Sequence, residues 1–503
     1  MKSKIVLIFL IFAHLVCLAQ DKKKYKEFKK KGNSHLSAGE LMKAKSAFEI
    51  ALQNKAGDKY VTQKLKEVKN AVKVKHNGLI SAANKVYESG DLDAALAKYK
   101  EALQFAPNDQ FTIDRINACS IKPGTTYLKS FGGRSYDEGR SLVNLADGSI
   151  VLAGRGSPGS SSNTDMVVIK VDRDGNKAWE KKFGGEETDE ALDIISTSDG
   201  NLLVVGHSDS YSGSPGIKDV FAVKIDASGN EIWNKTYGSN VTIDEANAAV
   251  EAHDGGYLLV GHSFINGSLQ VNAFKIDENG EKQWEKYFGG SASEQGADVI
   301  KTNEGYMIVG NTESKGKGKW DVWMLHIDKE GNELWDTTFG GGDNETANKV
   351  IQTKDGGYLI AGSTYSFAYA SQDFWIIRTD KEGNEVWNKA FGALAAEEAF
   401  GLIETKDGNY VAAGFQEVWD EKEQAVSDKS FEVYMVKFDD KGEKIWERAN
   451  GGEDEQRAFD IKETEDGSFM VVGLTKGNSR KGVDVVLIKA NQSGLVAIPE
   501  TEE

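Results

Sequence analysis

The chain has 503 residues, 39% hydrophobic and 28% charged, with a formal net charge of −17. An acidic balance of that size argues against nucleic acid as a partner, because a polyanion calls for a basic face. Two cysteines, Cys17 and Cys119, exclude a disulfide framework, and 54 glycines against 5 prolines announce many tight turns.

In chain order, Lys2 and Lys4 precede an apolar stretch, Ile5 to Leu18, that is too short to span a bilayer. Cys17-Leu18-Ala19 offers small residues at the positions read for cleavage, so residues 1–19 are expected to be a secretory signal peptide. The alternative is lipidation of Cys17, against which the bulk of Val16 counts. No later stretch is long or apolar enough for a membrane helix.

Residues 21–120 follow a 3.6-residue pattern. Ala83, Gly90, Ala95, Tyr99, Ala102 and Pro107 match the small, aromatic and breaker positions of a tetratricopeptide repeat. An earlier copy has Gly32, Gly39, Ala44, Phe48 and Ala51, with Ala56 where the proline would stand. A linking helix of about 59–75 is expected between them, and Pro123-Gly124 marks the end of the helical region.

From about residue 125 the texture changes. Short turns recur at Asp147-Gly148, Asp199-Gly200, Asp254-Gly255, Glu304-Gly305, Asp355-Gly356, Asp407-Gly408 and Asp466-Gly467. Self-similarity at about 50–59 residues signals a repeat architecture. One copy reads as four strands: Leu192–Ile195, Leu202–Gly206, Phe221–Asp226 and Glu231–Gly238. That is one propeller blade, which must stack on neighbours to cover its faces. The fourth strand carries Trp179, Trp233, Trp284, Trp335, Trp387 or Trp446, with Tyr127 in the same place before the first copy. A buried Trp removes about 150–250 Å² from water, an upper bound near ~4–6 kcal/mol, and these rings are expected to cement blade to blade.

Strand counting predicts closure. The region opens with an isolated fourth strand, 126–131, and ends after a third strand, 483–489. The expected fold is therefore an N-terminal helical domain over 21–120, then a seven-bladed β-propeller over 125–493 closed by its N-terminal strand, with a tail over 494–503. Charge divides along the same boundary. Residues 20–122 carry 21 Lys and Arg against 12 Asp and Glu, a net of +9, and the leader adds +2, which leaves −28 for the rest. Solubility explains both halves. The sharper reading is that the basic arm, rich in lysine over 22–31, meets an anionic surface.

One propeller face bears short, near-uniform turns. The other carries the links between second and third strands, which vary greatly in length. Variation on a uniform frame is how a repeat protein builds a site. Those links hold Tyr211, Phe264, Tyr365, Phe367, Tyr369 and Trp419, the candidate contacts for a peptide or glycan, unless they pack down on neighbouring loops. An acidic collar on the same face comprises Asp137, Asp189, Asp244, Glu294, Glu345, Glu397 and Glu455. It would hold a cation or basic peptide, but a carboxylate recurring in every blade more often accepts backbone N–H groups at a turn.

Catalytic signatures are missing, and neither a metal nor another cofactor is expected. His207 and His262 occupy equivalent places, where other copies have Arg155, Asn311, Ser363, Phe415 and Leu474; that variety predicts a surface position. Asp172-Arg-Asp174-Gly175 opens like a calcium loop, yet its copies read as hairpin turns.

The run Trp284-Glu-Lys-Tyr-Phe288-Gly-Gly, with Asp-Gly-Gly-Tyr-Leu-Leu-Val-Gly at 254–261, resembles propeller repeats of exported Bacteroidota proteins. It is more loosely similar to quinoprotein-like propellers with a tryptophan docking motif, but Gly175 and Trp179 are offset from that pattern, so quinone chemistry is not carried over. Tetratricopeptide repeats before a propeller resemble the periplasmic accessory of the type IX secretion machine, without its OmpA-like domain. These resemblances bear on fold more than on function. With the leader, the missing catalytic signatures and the variable face, the expected function is a non-enzymatic interaction scaffold of the cell envelope, periplasmic, outer-membrane-associated or at the surface, holding protein or peptide partners, and a glycan-binding or glycan-active propeller is the alternative.

Overall fold

The computed structural model describes residues 22–496 apart from 89–91, 108, 120–125, 133–135, 158–162, 214–215, 240, 370, 393, 421–424, 451–454 and 477–481. The leader and Pro123-Gly124 therefore lie outside the described residues. The chain forms two compact units, Met1–Ile121 and Lys122–Glu503.

The first unit is helical: α1 (22–37), α2 (Leu41–Asn54), α3 (Lys59–Glu88), α4 (Leu92–Leu103) and α5 (Gln110–Cys119). Gly39 reverses the chain between α1 and α2 at φ +73°. Small residues let the helices approach: a Cβ on Gly32 would overlap the Phe48 ring, and Ala44, Ala51, Ala83, Ala95 and Ala102 are buried. Tyr99 fills the gap they leave and donates to Asn84 Oδ1 at 2.5 Å. The expected linking helix does not stop at 75. No proline interrupts it, Asp58 opens it by accepting from the Val61 N–H, and it runs unbroken to Glu88. No described helix is long and apolar enough to cross a membrane.

The second unit is a seven-bladed β-propeller. The blades are β2–β5 (137–183), β6–β9 (189–237), β10–β13 (244–288), β14–β17 (294–339), β18–β21 (345–391), β22–β25 (397–450), and finally β26 (Glu455–Glu463), β27 (Phe469–Lys476) and β28 (Asp484–Ala490) completed by β1 (Tyr127–Phe131). In the first blade these are Asp137–Asn144, Ile150–Gly156, Asp165–Val171 and Lys177–Phe183; in the second, Asp189–Ser196, Leu202–Ser208, Asp219–Ile225 and Glu231–Tyr237. β1 pairs antiparallel with β28, from Tyr127 opposite Lys489 to Phe131 opposite Val485. The core is divided, since seven hydrophobic clusters each join one blade to the next around the ring.

Three repeated devices explain the residue pattern. First, every inner strand carries a β-bulge, as between Ala191 and Asp193. The bulge pushes a carbonyl toward the second strand, so that a Cβ on Gly206 would overlap Glu190 O; Gly154, Gly261, Gly310, Gly362, Gly414 and Gly473 face the same obstacle. Second, each outer-strand aromatic packs on the next blade's glycine turn. A Cβ on Gly229 would meet Trp179, one on Gly383 would meet Trp335, and one on Gly175 would meet Tyr127. These glycines also need positive φ (+79° at Gly229), and Asp226 Oδ1 accepts the N–H groups of Ser228 and Asn230. The Asp172 turn repeats this bonding, so it is a hairpin turn. Gly494 holds Trp446 in the same way and lies within the last turn, where Gly494 N–H donates to Asn491 O. Third, the Asp of each Asp-Gly turn receives a cation from the third strand, as Lys224 gives to Asp199 (2.6 Å) and Lys437 to Asp407 (2.6 Å). The Glu304-Gly305 turn differs. It closes one residue tighter, and His326 bonds Thr302 Oγ1 instead.

Candidate functional site

The links between second and third strands share one face, and the aromatics on them are both anchored and open. Tyr211 donates to Gly184 O (2.7 Å) with its ring 5.4 Å from Phe221. Tyr365 donates to Gln372 Oε1 (3.0 Å), and Phe367 lies 5.4 Å from Trp375. Each still leaves nearly half its surface to water, as does Phe264, while Tyr369 is 79% exposed. Trp419 belongs to β23 (Tyr410–Asp420), paired with Val426 of β24 (Ala425–Phe438); its side chain lies outside the described residues. The blade-to-blade links on this face add Tyr136, Val241 and Leu394, all exposed. Sequence reading missed these three because single apolar residues in short links carry no periodic signal.

The acidic collar is not presented to solvent. Asp137, Asp189, Asp244, Glu294, Glu345 and Glu397 are buried at the first position of their inner strands, and Glu455 is half-buried beside Arg457 (3.4 Å). Glu345 shows the reason. Its Oε2 accepts the Gly341 N–H (2.8 Å), and its Oε1 accepts the Ser366 N–H (3.0 Å) and the Thr364 hydroxyl (3.0 Å). Glu294 and Asp189 cap their loops likewise. Asp189, Glu294 and Glu345 thus take the backbone-accepting role that a carboxylate recurring in every blade more often has.

The surface position expected for His207 and His262 is also corrected. His207 is 2% exposed and neither ring nitrogen has a hydrogen-bond partner; burial pushes both imidazoles below their ordinary pKa. Four members of the row are matched to their cross-strand partners, whereas Phe415 and Leu474 lie opposite Glu398 and Arg457. His207 lies opposite Glu190, His262 opposite Glu245, Arg155 opposite Glu138, and Ser363 opposite Thr346. Arg155 bridges two blades, to Glu138 (2.8 Å) and Glu190 (3.1 Å), while Lys218 pairs with Glu245 (2.8 Å). Matched pairs mimic free variation when one strand is read alone.

The inner strands surround a central cavity of about 250 Å³ whose lining includes Arg140, Asp193, Asp298, Lys349, Phe459 and Asp460. The three aspartates staple neighbouring blades. Asp193 accepts Ala249 N–H (3.0 Å) and Ser141 Oγ–H (2.8 Å), Asp298 accepts Val350 N–H (2.9 Å), and Asp460 accepts Leu142 N–H (3.1 Å). Sequence reading missed them; their signal was the register, each standing just past the bulge. Asp193→Ala should cost about 1–3 kcal/mol by stranding the Ala249 N–H, read as a lower denaturation midpoint at unchanged slope. An unchanged midpoint would show that water takes over the bond. Among the described residues no group of three or more His, Cys, Asp or Glu is placed to hold a metal ion.

No protein-family profile matches the chain. It is 27% identical over 173 residues to the regulatory protein FlaEY of Caulobacter vibrioides, which covers 30% of this chain and 18% of that protein. The chain thus matches under a fifth of that relative's length. Solved structures aligned with it include an apocarotenoid oxygenase of Synechocystis (10% identity, 76% of this chain and 97% of that one, TM-score 0.39). A glucose dehydrogenase (9%, 73% and 99%, 0.32) and a GH43 β-1,3-galactosidase (12%, 75% and 97%, 0.32) align similarly. At such scores these likenesses carry no functional weight.

Proposed function

We propose that this chain is a non-catalytic interaction protein of a bacterial cell envelope, which grips a protein or peptide partner on the variable-loop face of its propeller. The observation that carries this reading is the asymmetry of the two faces. One is built of uniform turns tied by Lys–Asp pairs, whereas half-exposed aromatics with their backbones pinned collect on the other. Rings held in place by their own loops lose little entropy on binding, which suits them as contact anchors. The helical unit, with small residues and one tyrosine at tetratricopeptide offsets, is proposed to be such a repeat and to hold a second partner. Export rests on the Lys2–Ala19 leader. A glycan ligand is the second reading, because open tyrosine faces also stack on sugar rings.

The test is a pulldown from envelope extract with the full chain and with a Tyr211→Ser, Tyr365→Ser, Phe367→Ser, Tyr369→Ser variant, alongside a glycan array. The expected result is a protein captured by the wild type and lost, by tenfold or more, from the folded variant. Glycan binding that disappears in the variant, with no protein captured, would overturn the protein-partner reading.

A further inference from the structure

Each blade's third strand begins beside the start of the next blade's inner strand, and acids tend to stand at both positions. Between blades two and three they are Asp219 and Asp244, both buried, with Asp219 Oδ1 and Asp244 Oδ2 within 3 Å of where a Cβ on Gly238 would lie. The pairs Asp321–Glu345 and Asp373–Glu397 flank Gly340 and Gly392 in the same manner. Asp244 Oδ2 accepts from Thr242 Oγ1 (2.6 Å), but Asp219 Oδ1 has no hydrogen-bond partner. Between blades three and four the chain itself replaces the first acid with an amide: Gln270 Nε2–H donates to Glu294 Oε2 at 3.1 Å. Two carboxylates placed together and buried resist being ionised at the same time.

We propose that the Asp219–Asp244 pair holds one proton, Asp219 standing as a neutral acid that donates to Asp244 as the Gln270 amide donates to Glu294, and that losing this proton loosens the junction between blades two and three. Burial first, and then the Asp244 charge, push the Asp219 carboxyl up to about 6, with the Ser239 N–H opposing. A pKa raised on folding gives stability that is fully present below the ordinary value, 3.8, and is lost as pH rises through about 6. Asp219 ends the loop that carries Tyr211, and the Lys218 carbonyl before it accepts the Asp244 N–H at 2.7 Å. Proton loss is therefore felt directly by the variable face.

Other charged groups lie on the elements around the pair; His262 and Tyr287 feel the Asp244 charge, and the rest gather about Lys218 and Glu245. His207 and Asp209 come from β7 and its end, Lys218 from the start of β8, Glu245 from β10 (Asp244–Glu251), and His262 from β11 (Tyr257–Ile265). Glu190 of β6 and Tyr287 of β13 (Lys282–Phe288) complete the surroundings. Lys218 is engaged by Glu245. The two buried histidines work against Asp219. Their pKa values are lowered on folding, so their contribution is lost as pH falls below 6.5. The informative quantity is therefore the difference between variant and wild type at each pH.

Melting the full chain between pH 5 and 8.5, in chelator and in added calcium, provides the test, with Asp219→Asn and Gln270→Glu as variants. Asp219→Asn should melt higher than wild type, and its advantage should grow by about 1–3 °C from pH 5 to pH 8, because the amide donates at any pH while wild type loses its proton through about 6. Gln270→Glu should fall further below wild type at pH 8 than at pH 5, having installed a second titrating pair. An Asp219→Asn protein whose margin over wild type does not grow from pH 5 to pH 8 would overturn the proposal. So would calcium that raises the melting point of wild type but not of Asp219→Asn at pH 8, since the pair would then hold a cation.

Discussion

Gly206→Ala should cost the propeller about 3 kcal/mol or more, although it adds one methyl group to a strand whose φ is ordinary. The added carbon would occupy the space of the Glu190 carbonyl oxygen and press on Ala191 Cα, which are backbone atoms of the bulged inner strand. A side chain can rotate away from an intruder, but this carbonyl is held by the bulge and by the ladder on either side of it. Relief requires either flattening the bulge, which would swing Asp193 away from Ala249, or parting the first two strands. Gly200→Ala is the matched comparison. Gly200 has φ +82° but open space around it, so its substitution should cost only about 1–2 kcal/mol. Chemical denaturation of the two variants measures the difference. Equal costs, or a Gly206→Ala protein within 1 kcal/mol of wild type, would mean that the second-strand glycine serves strand flexibility and not close approach.

The same glycines show what a sequence can convey about this fold. Where geometry forbids all residue types but one, the constraint is printed in the chain: the Asp-Gly turns, the glycine under each tryptophan and the strand count were readable, and the seven blades with their closing strand follow from them. The bulge left only an indirect trace, a glycine ending each apolar run, because a bulge is a backbone event with no residue type of its own. The candidate site was less legible. An aspartate at a strand start looks the same whether it caps a loop or awaits a ligand, and only burial separates the roles. His207, Arg155 and Ser363 looked like drift because their partners lie on another strand. Asp193, Asp298 and Asp460 act across blades, on N–H groups some fifty residues or more away, beyond the reach of local pattern.

Closure by β1 sets up the largest effect expected of any short change. Deleting Tyr127–Phe131 from the full chain should destabilise the propeller by upward of about 5 kcal/mol and make the chain associate more than wild type does. Tyr127 packs in the cluster shared by the last and first blades, beside Met470 and Val171, and against Gly175 of the next turn. Losing a buried aromatic costs about 3–5 kcal/mol, and each lost ladder hydrogen bond adds about 1. The residues of β28 from Val485 to Lys489 would then present unpaired N–H and C=O groups on an edge that is otherwise covered. A ring tolerates this worse than an open sheet does. Each of its seven clusters is shared between two blades, so a weakened last blade relaxes its contacts with both neighbours. Light scattering and thermal melting of the deletion variant provide the check. A protein that scatters no more light than wild type and melts within about 2 °C of it would show that the inter-blade clusters alone hold the ring shut, and that the N-terminal strand is an accessory to closure.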